Sequence, residues 1–348
     1  MQSVKSRALD PTRPELAAMT RGEAFVSLVP VYGLPILALF LVALFSALLP
    51  DTFPTMFNLR SLLSDKAIVG VLALASMMPL MVGRIDLTVG YGIVLWHILA
   101  ISLQVFYGIP WQASVALVLL GGAGMGLING MLVEVAQIDS FIATLGTGTV
   151  IYAIALWHSK GRQVLGPLPP GFLKVNGMFV FGIPITTYYV VALTVVLWVI
   201  TERLPVGRKL YAIGANPTAA ALNGIPVRRY VVGAFVSSGF LTALGGVLLA
   251  SKMRVGQAGV GLEYLLPALV GAFLGSTTIR PGRVNVLGTM TGVAVLGIGI
   301  SGLQQLGGEF YVEPLFNGAT LIVAVMLAAY AQRSRTKARR RRGAGENS

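Results

Sequence analysis

Residues 207–229, GRKLYAIGANPTAAALNGIPVRR, form the longest polar and basic interruption between two apolar stretches of this chain. Residues 188–201 precede it and are mostly Val, Leu and Ile, and residues 230–250 follow it without a charged side chain. Each flanking stretch can cross a bilayer as a helix. The interruption is too polar for lipid and too rich in small residues for a protein core. We therefore interpret it as a loop between two membrane spans that offers a docking surface to another protein.

The composition of the whole chain indicates the same environment. Hydrophobic residues make up 55% of the 348 residues and charged residues 11%, whereas soluble domains contain about a quarter charged residues. Apolar runs of roughly 18 or more residues recur along the chain, which is the signal of membrane helices. A soluble protein with so many such runs would have no polar surface left for water. The sequence therefore predicts an all-α polytopic membrane protein.

The apolar runs predict about ten transmembrane helices, some of them short or broken. They define a transmembrane domain over residues 24–332, with the docking loop at about residues 203–229. A polar N-terminal tail over residues 1–23 and a basic C-terminal tail over residues 333–348 flank it. The predicted spans are residues 25–49, 65–83, 88–107, 112–135, 138–157, 186–201, 230–250, 262–276, 284–306 and 314–331.

The net charge of +13 is concentrated beside the apolar runs. Four basic residues precede the first run, and seven follow the last one. Ten spans put both termini and the docking loop on the same side of the membrane. That side then holds 19 of the 26 basic residues. Cytoplasmic loops carry such an excess of Lys and Arg. We therefore expect cytoplasmic termini, contact of the basic tails with membrane lipid, and no nucleic-acid partner.

Five short motifs, in order, resemble those of permease subunits from branched-chain amino-acid/ribose-type ABC importers, closest to the sugar branch. The resemblance covers roughly residues 30–330. The alanines and glycine of the 207–229 loop also resemble the loop by which such permeases dock on an ATPase. The motifs are GRIDLTVG at 83–90, NGMLV at 129–133, FIATLGT at 141–147, GAN at 214–216 with GIPV at 224–227, and FLGST at 273–277.

The resemblance implies a sugar-importing permease in the bacterial cytoplasmic membrane, with several partners. These would be an ABC ATPase subunit that carries ATP-Mg, a periplasmic or extracellular solute-binding protein, and a second permease chain, identical or paralogous. This chain itself would bind no cofactor and perform no catalysis. The residues expected to dock the ATPase are Asn216, Thr218, Ala219, Ala220 and Gly224, with Ala219, Ala220 and Gly224 facing it.

Three departures from the family pattern bear on the solute more than on the fold. Arg84 stands where the family has a second glycine, and Asp139-Ser140 replace the prolines usual after the NGMLV helix. Residues 278–283, TIRPGR, are more charged than the Gly-rich run usual at that place. A further difference concerns docking: Thr218 replaces the glutamate of the docking loop, which weakens any argument from a carboxylate contact there.

Asp86 lies between apolar residues near the inner end of a predicted span, and ionisable residues at such depth are candidates for function. It follows Gly83 and Arg84 and precedes Thr88, which suggests a break between two helical segments. Its carboxylate can cap the third span by accepting free backbone N–H groups. The alternatives are an ion pair with Arg84 and a role in the pathway or its gating. We favour the cap.

Other polar residues lie within or beside the spans and have two interpretations. They either hold helices together, or they line a solute pathway and exchange weak hydrogen bonds with hydroxyl groups. Glu134 and Asp139 flank a short turn and are expected to be solvated. His97 is expected to be packed or hydrogen-bonded, because no further ligand lies at metal-binding spacing. The candidate pathway or gating residues are Asp86, Thr88, Asn129, Thr144, Thr147 and Gln304.

The main alternative function is ion-coupled secondary transport. Such transporters usually carry ionisable residues in several spans, whereas only Asp86, with Arg84, is a serious candidate here. The chain contains no Gly-Lys dipeptide, hence no Walker A loop. It also contains neither H-E-x-x-H nor G-x-S-x-G, which disfavours a membrane enzyme.

Overall fold

The computed structural model describes residues 21–326. Apart from one short hairpin, the described secondary structure is helical. In chain order the helices are α1 (Arg21–Leu48), α2 (Met56–Met81), α3 (Thr88–Val105), α4 (Trp111–Glu134), α5 (Ser140–Ser159), α6 (Pro170–Gly177), α7 (Ile185–Trp198), α8 (Pro205–Ala215), α9 (Pro217–Leu222), α10 (Val227–Met253), α11 (Leu265–Leu274), α12 (Val286–Gln305) and α13 (Val312–Met326).

The prediction of about ten spans, some short or broken, is confirmed. Within residues 21–326, eight helices are long and apolar enough to cross a membrane. Two further apolar helices are shorter: α11, whose apolar segment begins at Leu262 with one 3₁₀ turn, and α13, which ends where the described residues end. The two predicted tails lie largely outside the described residues, as does the end of the tenth span.

The predicted loop over residues 50–64 is helical in its second half, which corrects the start of the second span. Thr55 caps α2, because its hydroxyl accepts a hydrogen bond from Asn58 N at 3.2 Å. The first two turns of α2 contain Asn58, Arg60 and Ser61, so they lack the apolar pattern that marks a membrane span. The cap therefore places nine residues in the helix that hydropathy assigns to the loop.

The end of α7 departs from regular geometry. Its last turn continues into a π-helical turn over Val199–Arg203, and Leu204 then turns the chain into α8. A π-turn inserts an extra residue into a helix and is frequent at functional sites.

The centre of the molecule consists of α2, α3 and α10. In α3, 78% of the residues are buried, and in the most apolar parts of α2 and α10 the share is 67%, against 6% over Val31–Leu48 of α1. A helix that is apolar all round is buried in protein or lipid. The outer helices therefore leave most of their apolar surface for lipid or for another chain.

A close helix contact joins α4 to α10 through glycines. A Cβ atom on Gly126 would lie 2.1 Å from the carbonyl oxygen of Phe235, and one on Gly239 would lie 2.1 Å from that of Gly122. Side chains at these positions would separate the helices. Small residues let membrane helices approach backbone to backbone, since lipid provides no hydrophobic force between them.

The connections collect at two ends of the bundle. Residues 82–87, 135–139, 204–226 and 275–285 lie at one end, which we call the docking-loop face. The opposite end, the far face, contains α6 and a hairpin of β1 (Phe179–Val180) and β2 (Ile183–Pro184), which pair antiparallel. An isolated bridge joins Val164 to Gly256 there. That the docking-loop face is cytoplasmic stays a prediction.

Candidate functional site

The docking loop folds into two short helices, α8 and α9. Asn216 separates them and caps α9, because its Oδ1 accepts a hydrogen bond from Ala219 N at 2.9 Å. Pro217 occupies the first turn of α9, where the missing N–H costs nothing. Gly224 follows with φ of 76°, a value that glycine adopts without strain. The local sequence thus specifies a rigid, capped helix at the surface.

The orientation of α9 corrects one part of the docking prediction. Ala220 is 5% exposed and packs into the core, so it does not face outward. Ala219 is half-buried, and Gly224 is exposed. The outward face instead carries Thr218, Ala221 and Leu222, and Leu222 is 85% exposed. This spacing is that of one helix face.

Two contacts join the docking element to the membrane helices. A Cβ atom on Gly214 would lie 2.2 Å from the carbonyl oxygen of Met81, so the backbones of α8 and α2 touch. Glu202, at the end of α7, accepts a hydrogen bond from the Tyr211 hydroxyl at 3.0 Å and forms an ion pair with Arg280. Burial, with Glu202 beside it, raises the pKa of Tyr211 well above its ordinary value, so the phenol remains a donor.

The segment between α2 and α3 is the break predicted around Asp86. Gly83, with φ of 74°, turns the chain out of α2. Asp86 is 1% exposed, and its Oδ1 accepts a hydrogen bond from Thr88 N at 2.9 Å and another from the Thr88 hydroxyl. Its Oδ2 accepts from the Ser238 hydroxyl of α10 at 2.7 Å. This geometry is that of a carboxylate at a helix N-terminus.

The predicted alternative pair between Arg84 and Asp86 is not formed. Nη2 of Arg84 instead lies 3.1 Å from Oε1 of Glu134 at the end of α4. The Glu134 side chain is only 9% exposed, so its expected solvation is wrong. Asp139 is exposed as expected, and it caps α5 by accepting from Phe141 N at 3.0 Å.

Hydroxyl groups of α5 accept hydrogen bonds from backbone N–H groups of the segment between α2 and α3. Leu87 N donates to the Thr144 hydroxyl at 3.1 Å, and Ile85 N donates to the Ser140 hydroxyl at 3.2 Å. Buried N–H groups without partners are costly, and the break leaves these two outside any helix. Thr144 therefore positions the break against α5.

A continuous chain of hydrogen bonds runs from Asp86 across three helices. The Thr88 hydroxyl accepts from Asn129 Nδ2 at 3.1 Å, and Asn129 Oδ1 accepts from the Thr147 hydroxyl at 2.7 Å. Asn129 is fully buried and Thr147 is half-buried. We call Ser238, Asp86, Thr88, Asn129 and Thr147 the sealed network. Its geometry is that of helix-to-helix attachment, and a pathway role for these residues stays a prediction.

Gln304, the remaining candidate, lies at the far face and not with the others. It lines a cleft of 830 Å³ between α2, α11, α12 and α13, which we call the far-face cleft. Ion pairs Asp65–Lys252 at 2.7 Å and Lys66–Glu313 at 3.2 Å border it. The predicted candidates thus separate into two regions.

His97 is buried and hydrogen-bonded, as predicted. Its Nδ1 lies 3.0 Å from the carbonyl oxygen of Ile93, and its Nε2 accepts from Gln257 N at 3.1 Å. The neutral ring protonated on Nδ1 satisfies both contacts. His97 thereby ties α3 to the loop after α10.

The sequence interpretation missed Ser238 and Glu202. Ser238 lies in a span with no charge, and only its place in the Ser237-Ser238 pair marks it. Glu202 had a clearer signal, as an acidic residue at the end of an apolar run beside the basic docking loop. Ser238 meets Asp86 from 152 residues away, and Glu202 meets Arg280 from 78 residues away, although its other partner, Tyr211, is only nine residues away.

A bundle of about ten apolar helices, joined by buried polar contacts and presenting two short helices at one face, defines an integral membrane protein of the transport class. The chain belongs to the permease family described as "Branched-chain amino acid transport system / permease component", which matches residues 58–330. It is a multi-pass protein of the bacterial inner membrane.

Curated relatives match most of the chain. The ribose import permease protein of Bacillus subtilis is 33% identical over 294 residues, which cover 84% of this chain and 91% of the relative. The D-allose transport system permease protein of Escherichia coli is 27% identical and covers 85% and 90%. The autoinducer 2 import system permease protein of Escherichia coli is 30% identical and covers 78% and 85%. No solved structure matches.

Proposed function

We propose that this chain is the translocation subunit of an ATP-binding cassette importer for a sugar or a sugar-like small polar solute. The observation that carries the proposal is the match of most of the chain to permeases named for ribose, D-allose and autoinducer 2 import. The capped docking helix supports it, because a rigid exposed helix suits the seat of a motor subunit.

The mechanism assigns ATP-Mg and its hydrolysis to a separate ATPase. A solute-binding protein delivers the solute at the far face, and two permease chains enclose one pathway. The ATPase seats on the outward face of α9, formed by Thr218, Ala221 and Leu222. Its movement reaches α2 through the backbone contact of Gly214 with Met81, directly before the break. This chain performs no covalent chemistry.

Uptake into proteoliposomes tests the function. We expect D-ribose or D-allose to accumulate only when the permease is reconstituted with its ATPase, ATP-Mg and the cognate binding protein. A proton or sodium gradient without ATP should give no accumulation. Gradient-driven uptake by the permease alone would support the secondary transporter and refute the proposal.

Substitutions in α9 test the docking surface. Leu222→Asp places a charge on the exposed face, so we expect normal thermal unfolding but loss of the copurifying ATPase and of uptake. Ala220→Glu buries a charge in the core and should instead reduce folded protein. Phe181→Asp, a control at the far face where Phe181 is 97% exposed, should retain the ATPase. A Leu222→Asp complex with normal assembly and uptake would contradict this docking surface.

Cysteine labelling tests the orientation, and the absence of native cysteine makes the experiment direct. We expect cysteines at Asn216 or at Ser348, which lies outside the described residues, to react only with reagents that enter the cytoplasm. A cysteine at Lys174 in α6 should react from outside. Labelling of position 216 by an impermeant reagent on intact cells would reverse the orientation.

A further inference from the structure

Two tyrosines meet beside the middle of the membrane span formed by α5. This helix has 20 residues and is therefore about 30 Å long, which matches the hydrocarbon core of a bilayer. Gly148 lies near its centre, and a Cβ atom there would lie 2.5 Å from Cδ2 of Tyr91. The ring of Tyr91 therefore rests against the centre of α5. The ring of Tyr152, one turn further along α5, packs edge-on to it, with ring centroids 6.4 Å apart.

The phenol hydroxyls of this pair are open to the surroundings of the chain. Both side chains are half-buried. Neither hydroxyl has a hydrogen-bond partner within residues 21–326, and neither oxygen is enclosed by protein. A molecule that lies beside α3 and α5 can therefore reach both hydroxyls.

Lipid alone does not suit two such hydroxyls. A hydroxyl group in hydrocarbon without a partner costs free energy, and tyrosines of membrane proteins collect at the two interfaces, where the hydroxyl reaches water. Tyr107 and Tyr188 follow this rule at the far face, where Tyr188 donates to the carbonyl oxygen of Val180 at 3.1 Å. The depth of Tyr91 and Tyr152 thus indicates a polar neighbour outside the chain.

Thr149 extends the same surface. It lies three residues before Tyr152, hence on a neighbouring side of α5, and it is exposed. Its hydroxyl donates to the carbonyl oxygen of Gly146 at 2.7 Å, and its oxygen can still accept a hydrogen bond. Thr147 of the sealed network lies five residues before Tyr152, about 140° around the helix. The sealed network therefore does not occupy this side of α5.

We propose that Tyr91, Tyr152 and Thr149 bind a neutral polyol in the solute pathway, near the middle of the membrane. The phenol hydroxyls exchange hydrogen bonds with hydroxyl groups of the solute, and the rings cover its apolar C–H face. A neutral solute suits the pair, because no Lys or Arg within residues 21–326 lies over either ring. The proposal rests on the proposed transport function and places the pathway against α3 and α5.

Removal of the hydroxyls alone tests the site. Tyr91→Phe and Tyr152→Phe keep both rings, so we expect normal thermal unfolding and normal copurification of the ATPase. In proteoliposomes with ATPase, ATP-Mg and loaded binding protein, uptake of D-ribose or D-allose should fall about threefold to tenfold in each variant, through loss of one hydrogen bond. Tyr188→Phe is the matched control, because it removes a phenol hydroxyl at the far face, and its uptake should equal that of wild type.

Cysteine substitution distinguishes a pathway from lipid, since the chain has no native cysteine. Tyr152 and Val150 lie two residues apart on α5, at nearly the same depth but about 200° apart around the helix, and Val150 is 60% exposed. Charged methanethiosulfonate reagents dissolve in water and react with the thiolate. We expect them to modify Tyr152→Cys but not Val150→Cys, and an excess of the transported sugar should slow the modification.

Each contrary result overturns the inference in a recognisable way. Normal uptake by both phenylalanine variants, or modification of Val150→Cys as fast as that of Tyr152→Cys, refutes the site and leaves the proposed function intact. Modification of Tyr152→Cys that the sugar does not slow shows water without a solute site. Dissociation of paired permease chains in either phenylalanine variant shows that the hydroxyl binds the second chain instead. Absence of ATP-driven uptake by the wild type refutes the proposed function together with the site.

Discussion

The sealed network and the far-face cleft both contain buried polar side chains, but they use them differently. In the sealed network each member has a partner within the chain, and Asp86 alone accepts three hydrogen bonds. In the cleft, Gln305 Oε1 and Asn317 Oδ1 have no partner among residues 21–326. Satisfied buried groups hold helices together, whereas unsatisfied ones cost free energy and add nothing to helix attachment. Burial of a polar residue alone therefore does not show that it holds helices together.

The largest expected effect comes from Asp86→Ala in the sealed network. It leaves Thr88 N and the Ser238 hydroxyl without an acceptor, so we expect unfolding free energy to fall by about 3 kcal/mol or more. Asp86→Asn retains one acceptor and should lose about 1 kcal/mol or less. Unfolding of both variants in one detergent measures the difference. A folded Asp86→Asn protein that keeps its ATPase but transports nothing would show a gating role.

Asn129→Leu tests an uncharged member of the sealed network. It removes the link between Thr88 and Thr147, and we expect a loss of about 1–2 kcal/mol in unfolding free energy. The same thermal or denaturant measurement applies. Stability equal to that of wild type would mean that the network is not what holds α4 against α3 and α5.

Glu134→Gln tests the neighbouring ion pair and should have a smaller effect. Arg84 is 37% exposed, so solvent screens the pair, and we expect a loss of about 0.5–1 kcal/mol. The effect should shrink in the background of Arg84→Ala, which a double-mutant cycle measures. Equal costs in both backgrounds would show that the two side chains do not interact.

Asn317→Leu in the cleft should have almost no effect on stability. Replacing an unpartnered buried amide with an apolar group of similar size removes a penalty, so we expect a change within about 0.5 kcal/mol, or a small gain. This variant and Asn129→Leu carry the same substitution at two buried asparagines. If both variants lost a similar amount of unfolding free energy, the two regions would not differ in how their buried asparagines contribute to stability.

The sequence was sufficient for the membrane class and for about ten spans, because these follow from composition and from apolar runs. It also identified Asp86 and its local acceptor role, since Thr88 is two residues away. It could not identify Ser238 as a partner, because that contact spans 152 residues and depends on how α10 packs. Arg84 and Glu134 are 50 residues apart, and their pairing depends on the same packing.

Within the docking loop, the limit was helix orientation. The motif places Ala219 and Ala220 side by side, but which alanine faces the core depends on how α9 rests on the bundle. The buried face of α9 holds Ala220, and the exposed face holds Leu222. A small residue next to a bulky apolar one suggests docking in either orientation, so the sequence alone does not decide between them.

The π-turn at Val199–Arg203 changes the rotation of the last residues of this helix relative to the membrane part of α7. One residue in a helix corresponds to a rotation of about 100°. The extra residue therefore rotates the side chain of Glu202 around the helix axis. In this rotated position Glu202 contacts both Tyr211 and Arg280. The length of the chain at this one turn thus decides the side of the helix on which Glu202 lies, and with it whether Glu202 reaches Tyr211 and Arg280.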